Sequence, residues 1–270
     1  MNNPSSSFRS RYGPWALVAG ASKGLGAEYA HQLAEKGLNL VLIARREERL
    51  KTLAAELQAR YPVQVQIIVC DLSQPNAAAR IFTQTAGLEI GLLVYNAAVA
   101  PVAPFYGLSL DEHLQALNAN MRTPLELVYH FGSAMRTRKR GGVLLMSSLS
   151  ALQGSALIAH YTATKAYNLN LAEGLWDELG QDGVAVLACM PAMVDTAELP
   201  AGEPADSKPG FSGMSPQQVA REALAALGRQ SVIIPGASNR LAAFFIRHLL
   251  PRQSAVRMMG RVLKRMERRE

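Results

Sequence analysis

The apolar pentapeptide Trp15–Ala19 runs straight into Gly20-Ala21-Ser22-Lys23-Gly24-Leu25-Gly26, and residues 27–36 after it carry a helical pattern. Strand, glycine turn and helix in that order bind phosphate. Gly20 permits the tight turn, Gly24 lets backbone approach a pyrophosphate, and Gly26 allows close helix-to-strand packing. The helix start adds unpaired N–H groups and the positive end of a dipole. A glycine cluster alone also suits an ordinary loop. The next fifty residues narrow the choice: Asn39–Ala44 is a second apolar run, residues 46–60 form a charged helix, and residues 65–70 a third strand. Near-continuous apolar strands alternating with amphipathic helices specify an α/β fold. Its sheet is doubly wound and predominantly parallel, with helices on both faces and a dinucleotide cleft at the carboxyl ends of the strands.

The end of the second strand chooses between cofactors. An acidic residue there would bond the ribose hydroxyls and repel a 2′-phosphate, but this chain has Ala44-Arg45-Arg46, with Lys23 inside the glycine turn. NADP(H) is favoured over NAD(H). Arg46 also suits a solvated helix start. Asp71, with Leu72 after the third strand, suits either a contact to the adenine or an N-cap.

Tyr161 and Lys165 stand four apart in His160-Tyr161-Thr162-Ala163-Thr164-Lys165, which sets phenol and ammonium on one helix face, a turn from each other. A free tyrosine ionises near pH ~10, and a cation beside it brings that value toward the working range, so the pair can move a proton. The spacing alone is weak evidence; its weight comes from the surrounding motifs. His160 itself suits either a substrate contact or a polar helix start.

Taken together, residues 15–236 resemble the short-chain dehydrogenases/reductases in their single-domain form. The cofactor turn is similar to T-G-x-x-x-G-x-G, with Ala19 in place of threonine, and Asn96-Ala97-Ala98 resembles N-A-G after a fourth strand. Asn120 falls where the family's catalytic asparagine interrupts a helix. Ser148 ends the strand over residues 142–146 and lies thirteen positions before Tyr161, which matches the family spacing and favours it over Ser147. Pro191-Ala192-Met193-Val194-Asp195-Thr196 resembles P-G-x-V-x-T, with Ala192 for glycine.

The resemblance implies a Rossmann fold of about seven strands and hydride transfer between a nicotinamide and a carbonyl or alcohol carbon. It implies Tyr161 as proton donor in the reducing direction and Ser148 as a hydrogen-bond donor to the same oxygen. Lys165 lowers the Tyr161 pKa and holds the nicotinamide ribose, Asn120 positions a relay water, and Pro191, Val194 and Thr196 meet the carboxamide. It also implies a homodimer or homotetramer packed through the helices that hold Asn120 and Tyr161. Ala98 and Ala192 are harmful only where those positions need positive φ, and losing the hydroxyl at Ala19 costs about 1 kcal/mol.

An NADPH preference argues for reduction of a ketone or aldehyde. Residues 99–108, with Leu149, Leu152, Leu157 and Ile158, supply aliphatic surface for a hydrophobic substrate such as a long-chain 3-oxoacyl derivative or a ketosteroid. Residues 197–214 lack a periodic apolar face and read as an active-site lid or a surface excursion. The alternative from another class is a non-enzymatic NADP-binding redox sensor or scaffold. Against it, Asn120, Ser148, Tyr161 and Lys165 are all in place. No G-x-S-x-G elbow for a hydrolase occurs, and no metal-ligand spacing.

At 270 residues and 49% hydrophobic content the chain suits one doubly wound domain over residues 13–239. Residues 1–12 are polar and read as a disordered lead-in, without the apolar stretch of a signal peptide. Cys70 and Cys189 end buried strands and read as reduced core thiols of a cytoplasmic protein. The charge is uneven: residues 240–270 hold nine Lys or Arg against two Glu, leaving 19 basic and 19 acidic groups elsewhere. In that tail Arg257, Arg261, Lys264 and Arg268 share one helical stripe, opposite Val256, Met259, Leu263 and Met266. A basic amphipathic helical extension of this kind touches an anionic membrane surface, or covers the domain or a partner subunit with its apolar face. Nucleic-acid binding lacks any reading motif.

Overall fold

The computed structural model describes residues 4–194 and 213–267. Seven parallel strands make one sheet: β1 (Trp15–Ala19), β2 (Asn39–Ala44), β3 (Val65–Val69), β4 (Ile90–Tyr95), β5 (Gly141–Met146), β6 (Val184–Cys189) and β7 (Val232–Ile233). Their order is β3-β2-β1-β4-β5-β6-β7, so the winding reverses between β1 and β4 and opens a crevice at the carboxyl ends.

Successive strand residues point to opposite faces, and both faces are dry, which is why the strands are apolar without alternation. Ala16, Val18, Leu40 and Leu42 join one core with Leu33 and Tyr29 of α2 (Gly24–Glu35), Leu50 and Leu57 of α3 (Glu47–Arg60), and Val219 of α8 (Pro216–Ala226). Leu17, Val41 and Ile43 join the other, with Ile81 of α4 (Ala77–Gln84), Phe131 of α6 (Thr123–Thr137) and Ala172 of α7 (Ala159–Gly180). Before α6 comes α5 (Leu110–Leu117), joined to it through a π-helical turn, Asn118–Arg122. Cys70 and Cys189 are free and buried.

Several boundaries differ from the sequence pattern. Helix α2 begins at Gly24, not at residue 27, because the glycine turn itself forms its first turn. Within the lead-in expected to be disordered over residues 1–12, Pro4–Tyr12 forms a helix, α1. Its polar composition hides two aromatic residues one helical turn apart, Phe8 and Tyr12, whose ring centroids lie 4.6 Å from each other. Tyr12 is 3% exposed, and its hydroxyl donates to the Leu227 carbonyl at 3.3 Å, tying α1 to the end of α8.

The tail forms two helices, α9 (Ala237–His248) and α10 (Arg252–Glu267), so the expected boundary at residue 240 falls inside α9. Ala243 and Ala255 are buried against the domain, and α10 comes close enough at Gly260 that a Cβ there would stand 3.3 Å from the Ala156 Cβ. Arg257, Arg261 and Lys264 face outward. Among the described residues no helix is long and apolar enough to cross a membrane.

Truncating Tyr12 to alanine should destabilise the protein by about 3 kcal/mol or more, and Tyr12→Phe by about 1 kcal/mol. Urea denaturation measures both; an alanine variant as stable as the parent chain would show that α1 is not part of the core.

Candidate active site

The glycine turn is defined by how little room it leaves. A Cβ on Gly26 would stand 2.0 Å from the Gly20 carbonyl oxygen and 2.8 Å from Asn96 Nδ2, so helix, turn and β4 meet there without side chains between them. Gly20 and Gly24 adopt φ of +82° and +55°, in the left-handed region. Asn96 donates from Nδ2 to the Gly20 carbonyl at 3.1 Å, and from its amide to the Ala19 carbonyl at 3.0 Å. No side chain caps α2, and its first turn carries no acid, so the dipole end faces the crevice.

The crevice is a cleft of about 500 Å³. Gly20, Ser22, Lys23, Leu25, Arg45, Arg46, Asp71, Leu72, Asn96, Ala97, Tyr161, Lys165, Pro191 and Val194 all line it. Gly24 and Gly26 form the turn behind, and Thr196 lies outside the described residues, as does nearly all of the expected lid. Val194 and Met214 pair as a parallel bridge, so the chain leaves and rejoins the described fold at the rim of the cleft. Arg46 donates from Nη2 to Ser22 Oγ at 3.3 Å, which links the second strand's end to the glycine turn. Burial pushes the Asp71 carboxyl up, but hydrogen bonds from Ser73 and Gln74 and the nearby Arg45 charge together hold it below the usual range. Asp71 thus serves as the anchor of its own turn while lining the cleft. Ser73, two residues on, also lines the cleft, although no motif singles it out; its spacing from Asp71 for a side-chain turn is the available signal.

At the other end, α7 carries Tyr161 and Lys165 on its inward face. Ser148 stands beside the Tyr161 phenol and works against the rise in its pKa, while its Oγ accepts from the Ser150 amide at 3.2 Å. Ser147, the neighbouring choice, spends its hydroxyl on the Lys165 carbonyl at 2.8 Å. Lys165 is 2% exposed and donates from Nζ to the Met146 carbonyl at 2.8 Å. Its ammonium lies 5.6 Å from the centroid of the Tyr161 ring. Burial lowers its pKa to about 8, against a smaller opposing effect of Cys189. For Tyr161 the leading influence in this arrangement is desolvation, with the Lys165 charge turned toward Met146. Burial raises the phenol's pKa, and Ser148 works against it.

Asn120 is fully buried in the π-helical turn. Its amide donates to the Val99 carbonyl at 2.8 Å and to Thr164 Oγ1 at 3.1 Å, and its Oδ1 accepts from the Val99 amide at 2.8 Å. Its main-chain carbonyl accepts from Asn168 Nδ2 at 3.0 Å. The side chain therefore pins the strand-end loop to α7. Among the described residues only Lys139 and Leu157 combine a side chain with positive φ, so Ala98 and Ala192 carry no steric penalty. Three of the four aliphatic residues divide: Leu157 and Ile158 flank a small pocket beside Tyr161, whereas Leu152 faces a groove against α9. His160 packs against His113, with ring centroids 5.1 Å apart, and burial first, then the His113 charge, lowers its pKa. No group of three or more metal-ligating side chains gathers among the described residues.

A parallel sheet wound both ways from a glycine turn, with a roomy cleft at the reversal, is the architecture of a nucleotide-binding α/β enzyme. The family model for short chain dehydrogenase matches residues 14–204, and the chain belongs to the short-chain dehydrogenase/reductase family. It is an oxidoreductase of CH–OH and C=O groups. A 7beta-hydroxysteroid dehydrogenase of Collinsella aerofaciens is 29% identical over 86% of this chain and 90% of its own. A very-long-chain 3-oxoacyl-CoA reductase of Anas platyrhynchos is 32% identical over 81% of this chain and 70% of its own. Among solved structures, one from work on 7beta-hydroxysteroid dehydrogenase stereoselectivity superposes with a TM-score of 0.87 at 28% identity, covering 94% of this chain and 99% of that one. A short-chain dehydrogenase from Sphingobium yanoikuyae in complex with NADPH gives 0.73 at 26% identity, over 86% and 92%.

The buried lysine makes a pH-dependent prediction. Its folded-state pKa, about 8, lies below the ordinary lysine value of 10.5, so between those values the unfolded chain holds a proton that the folded chain has released. Stability from this group therefore rises with pH across that window, and its cost is in full force below about pH 8. Lys165→Met should abolish this rise, worth on the order of 3 kcal/mol at most. Urea unfolding of parent and variant from pH 7 to 10.5 measures it; parallel curves would show that the ammonium is not desolvated.

Proposed function

We propose that the protein reduces a bulky hydrophobic ketone with NADPH, using Tyr161 as the proton donor. The observation that carries this reading is the meeting of Ser148, Tyr161 and Lys165 beside a cleft whose far end holds Lys23, Arg45 and Arg46. A dinucleotide fits the residues present: the cradle at Gly20 and Gly26 has no space for side chains, and a helix start faces it. Bound there, NADPH would supply the hydride. The three cations would hold a 2′-phosphate, Asn96 holds the turn through the Gly20 carbonyl, and Pro191 and Val194 would close the nicotinamide end.

Tyr161 holds its proton at neutral pH and is placed to give it to a developing alkoxide, although burial raises its pKa and makes it a weaker acid than a free phenol. Ser148, beside the phenol, turns its one hydroxyl hydrogen to the same oxygen and fixes the carbonyl. Lys165 holds positive charge behind the pair below about pH 8. Asn120 acts as a positioning residue, holding Val99 and α7 in register. Leu157 and Ile158 give the substrate side an apolar wall. Of the two substrate classes that the relatives' names mention, a ketosteroid is the better supported, since the chain matches the hydroxysteroid dehydrogenase over more of its length. A 3-oxoacyl thioester is the second reading.

NADPH oxidation against a panel of ketosteroids and 3-oxoacyl thioesters tests both. Tyr161→Phe should lose about 10²-fold to 10⁴-fold in kcat, and Arg45→Ala should cut the preference for NADPH over NADH by about tenfold or more. Tight NADPH binding with no carbonyl turned over would favour the sensor reading instead.

Self-association is a second proposal. Leu125 and Tyr129 on α6 and Trp176 on α7 are exposed, Tyr129 at 81%, and a symmetric pairing of these helices would cover them. Light scattering should find a dimer or tetramer that Tyr129→Glu breaks; a monomeric parent chain rejects the idea. Peripheral contact of residues 240–270 with an anionic membrane is supported by exposed Leu241, Phe245 and Leu249 beside Arg247. Flotation with phosphatidylglycerol vesicles should carry the protein, and its absence at low salt rejects that contact.

A further inference from the structure

On the far side of the turn that follows Ser148 lies a second groove, of about 590 Å³, walled by residues 151–153, α7, β7 and the two tail helices. It shares no lining residue with the cofactor cleft. The face of α7 that turns toward it carries Ala166, Leu169 and Glu173; Leu169 stands one turn after Lys165, so the groove lies beside the face that carries Tyr161 and Lys165. Its volume is in the range of small-molecule sites.

Three features of different kinds meet in it. Gln153 lines the groove, is only 5% exposed, and its buried Oε1 accepts no hydrogen bond. An amide oxygen left in that state has lost its water without replacement, and a donor on a ligand would make good the loss. Leu152, Leu169, Phe244 and Leu250 supply apolar wall. At the turn between α9 and α10 stand Arg247 and Arg252, neither in an ion pair among the described residues, whereas Arg240 nearby is held by Glu222 at 3.5 Å. Helix α10 starts there behind Pro251, which has no side-chain acceptor to offer, and carries no acid in its first turn. A cation at the start of a helix is unfavourable by itself, and an anion placed between the arginines and the helix start offsets it.

We propose that this groove is a second binding site, for a monomeric amphiphilic anion with an apolar body and a hydroxyl group. The anionic end sits between Arg247 and Arg252, the body lies on Leu152, Leu169 and Phe244, and the hydroxyl donates to Gln153 Oε1. A bilayer surface does not meet these terms, because a planar surface does not enter the groove to reach Gln153, which lines it and is 5% exposed. The site is independent of turnover: its ligand contacts the turn after Ser148 from outside and touches neither Tyr161 nor Lys165.

The test is a binding titration of the full chain, saturated with NADP⁺, using the fluorescent carboxylate dansyl-undecanoate below its micellar concentration. Saturable one-to-one binding is expected, weakened about tenfold or more in Arg247→Glu/Arg252→Glu, an exposed pair whose exchange leaves the core intact. Leu169→Trp should fill the groove and abolish binding while NADPH affinity is unchanged. In displacement of the probe, 12-hydroxydodecanoate should outcompete dodecanoate on the parent chain, and that advantage should vanish in Gln153→Leu. Undiminished binding in the double arginine variant, or no saturable binding at all, would overturn the proposal. So would a Gln153→Leu variant that still prefers the hydroxylated acid.

Discussion

The Gly20 carbonyl occupies the space in which any side chain on Gly26 would have to stand. That single exclusion brings α2 down onto the end of β1, and it lets Asn96 reach across from β4 to bond the same carbonyl. β1 and β4 are the strands between which the sheet reverses its winding, so the bond that closes the turn also fixes the two walls of the crevice. With the crevice fixed, α7 packs against β5 and β6 and delivers its inward face to the same edge. The helix could not be rotated to place Tyr161 elsewhere without taking Lys165 and Asn168 out of the core, where both are buried.

Burial, more than pairwise charge, governs the proton chemistry at that edge. A lysine four residues from a tyrosine invites the view that the ammonium acidifies the phenol, yet the Lys165 ammonium is directed at the Met146 carbonyl and its own pKa falls to about 8. The phenol meanwhile is pushed up by burial, with Ser148 alone opposing. In a dry site the cost of charge falls on both members of the pair, and each moves toward its neutral form. At neutral pH the resting state is therefore one in which the tyrosine retains its proton and the lysine still carries its charge.

Much of this is legible in the chain because the relevant signals are local. Strands dry on both faces have to be apolar throughout, and Asn39–Ala44 shows it; a turn that excludes Cβ atoms has to be glycine, and Gly20 and Gly26 show it. The cations at Lys23, Arg45 and Arg46 are read the same way, since they lie in or directly after those elements. What escapes depends on contacts distant in sequence or on composition that averages out. In residues 1–12 the serines and arginines mask Phe8 and Tyr12, and Tyr12 finds its partner at Leu227, more than two hundred positions away. The choice of Met146 as the Lys165 acceptor, and the packing of His113 on His160, are likewise tertiary. Nearness to Ser148 in the chain suggests Leu152 for the substrate wall, whereas the short helical turn over Leu149–Leu152 rotates it to the opposite side.

The tail changes meaning once it is seen in place. Its excess of positive charge suggests a surface device, but the apolar side of α10 is laid along the domain, and Gly260 is small enough to bring the helix onto Ala156. Ala156 precedes Leu157, whose φ of +66° is costly for a branched side chain and whose carbonyl accepts the Ala103 amide at 2.9 Å. The segment between Ser148 and Tyr161 is thus held from two sides, by the strand-end loop within the catalytic half and by α10 from outside. A strained conformation survives only where its surroundings over-determine it, and here the tail is part of those surroundings. The residues that shape the substrate wall and the residues that carry the unbalanced charge are therefore mechanically one unit, although they stand a hundred positions apart in the chain.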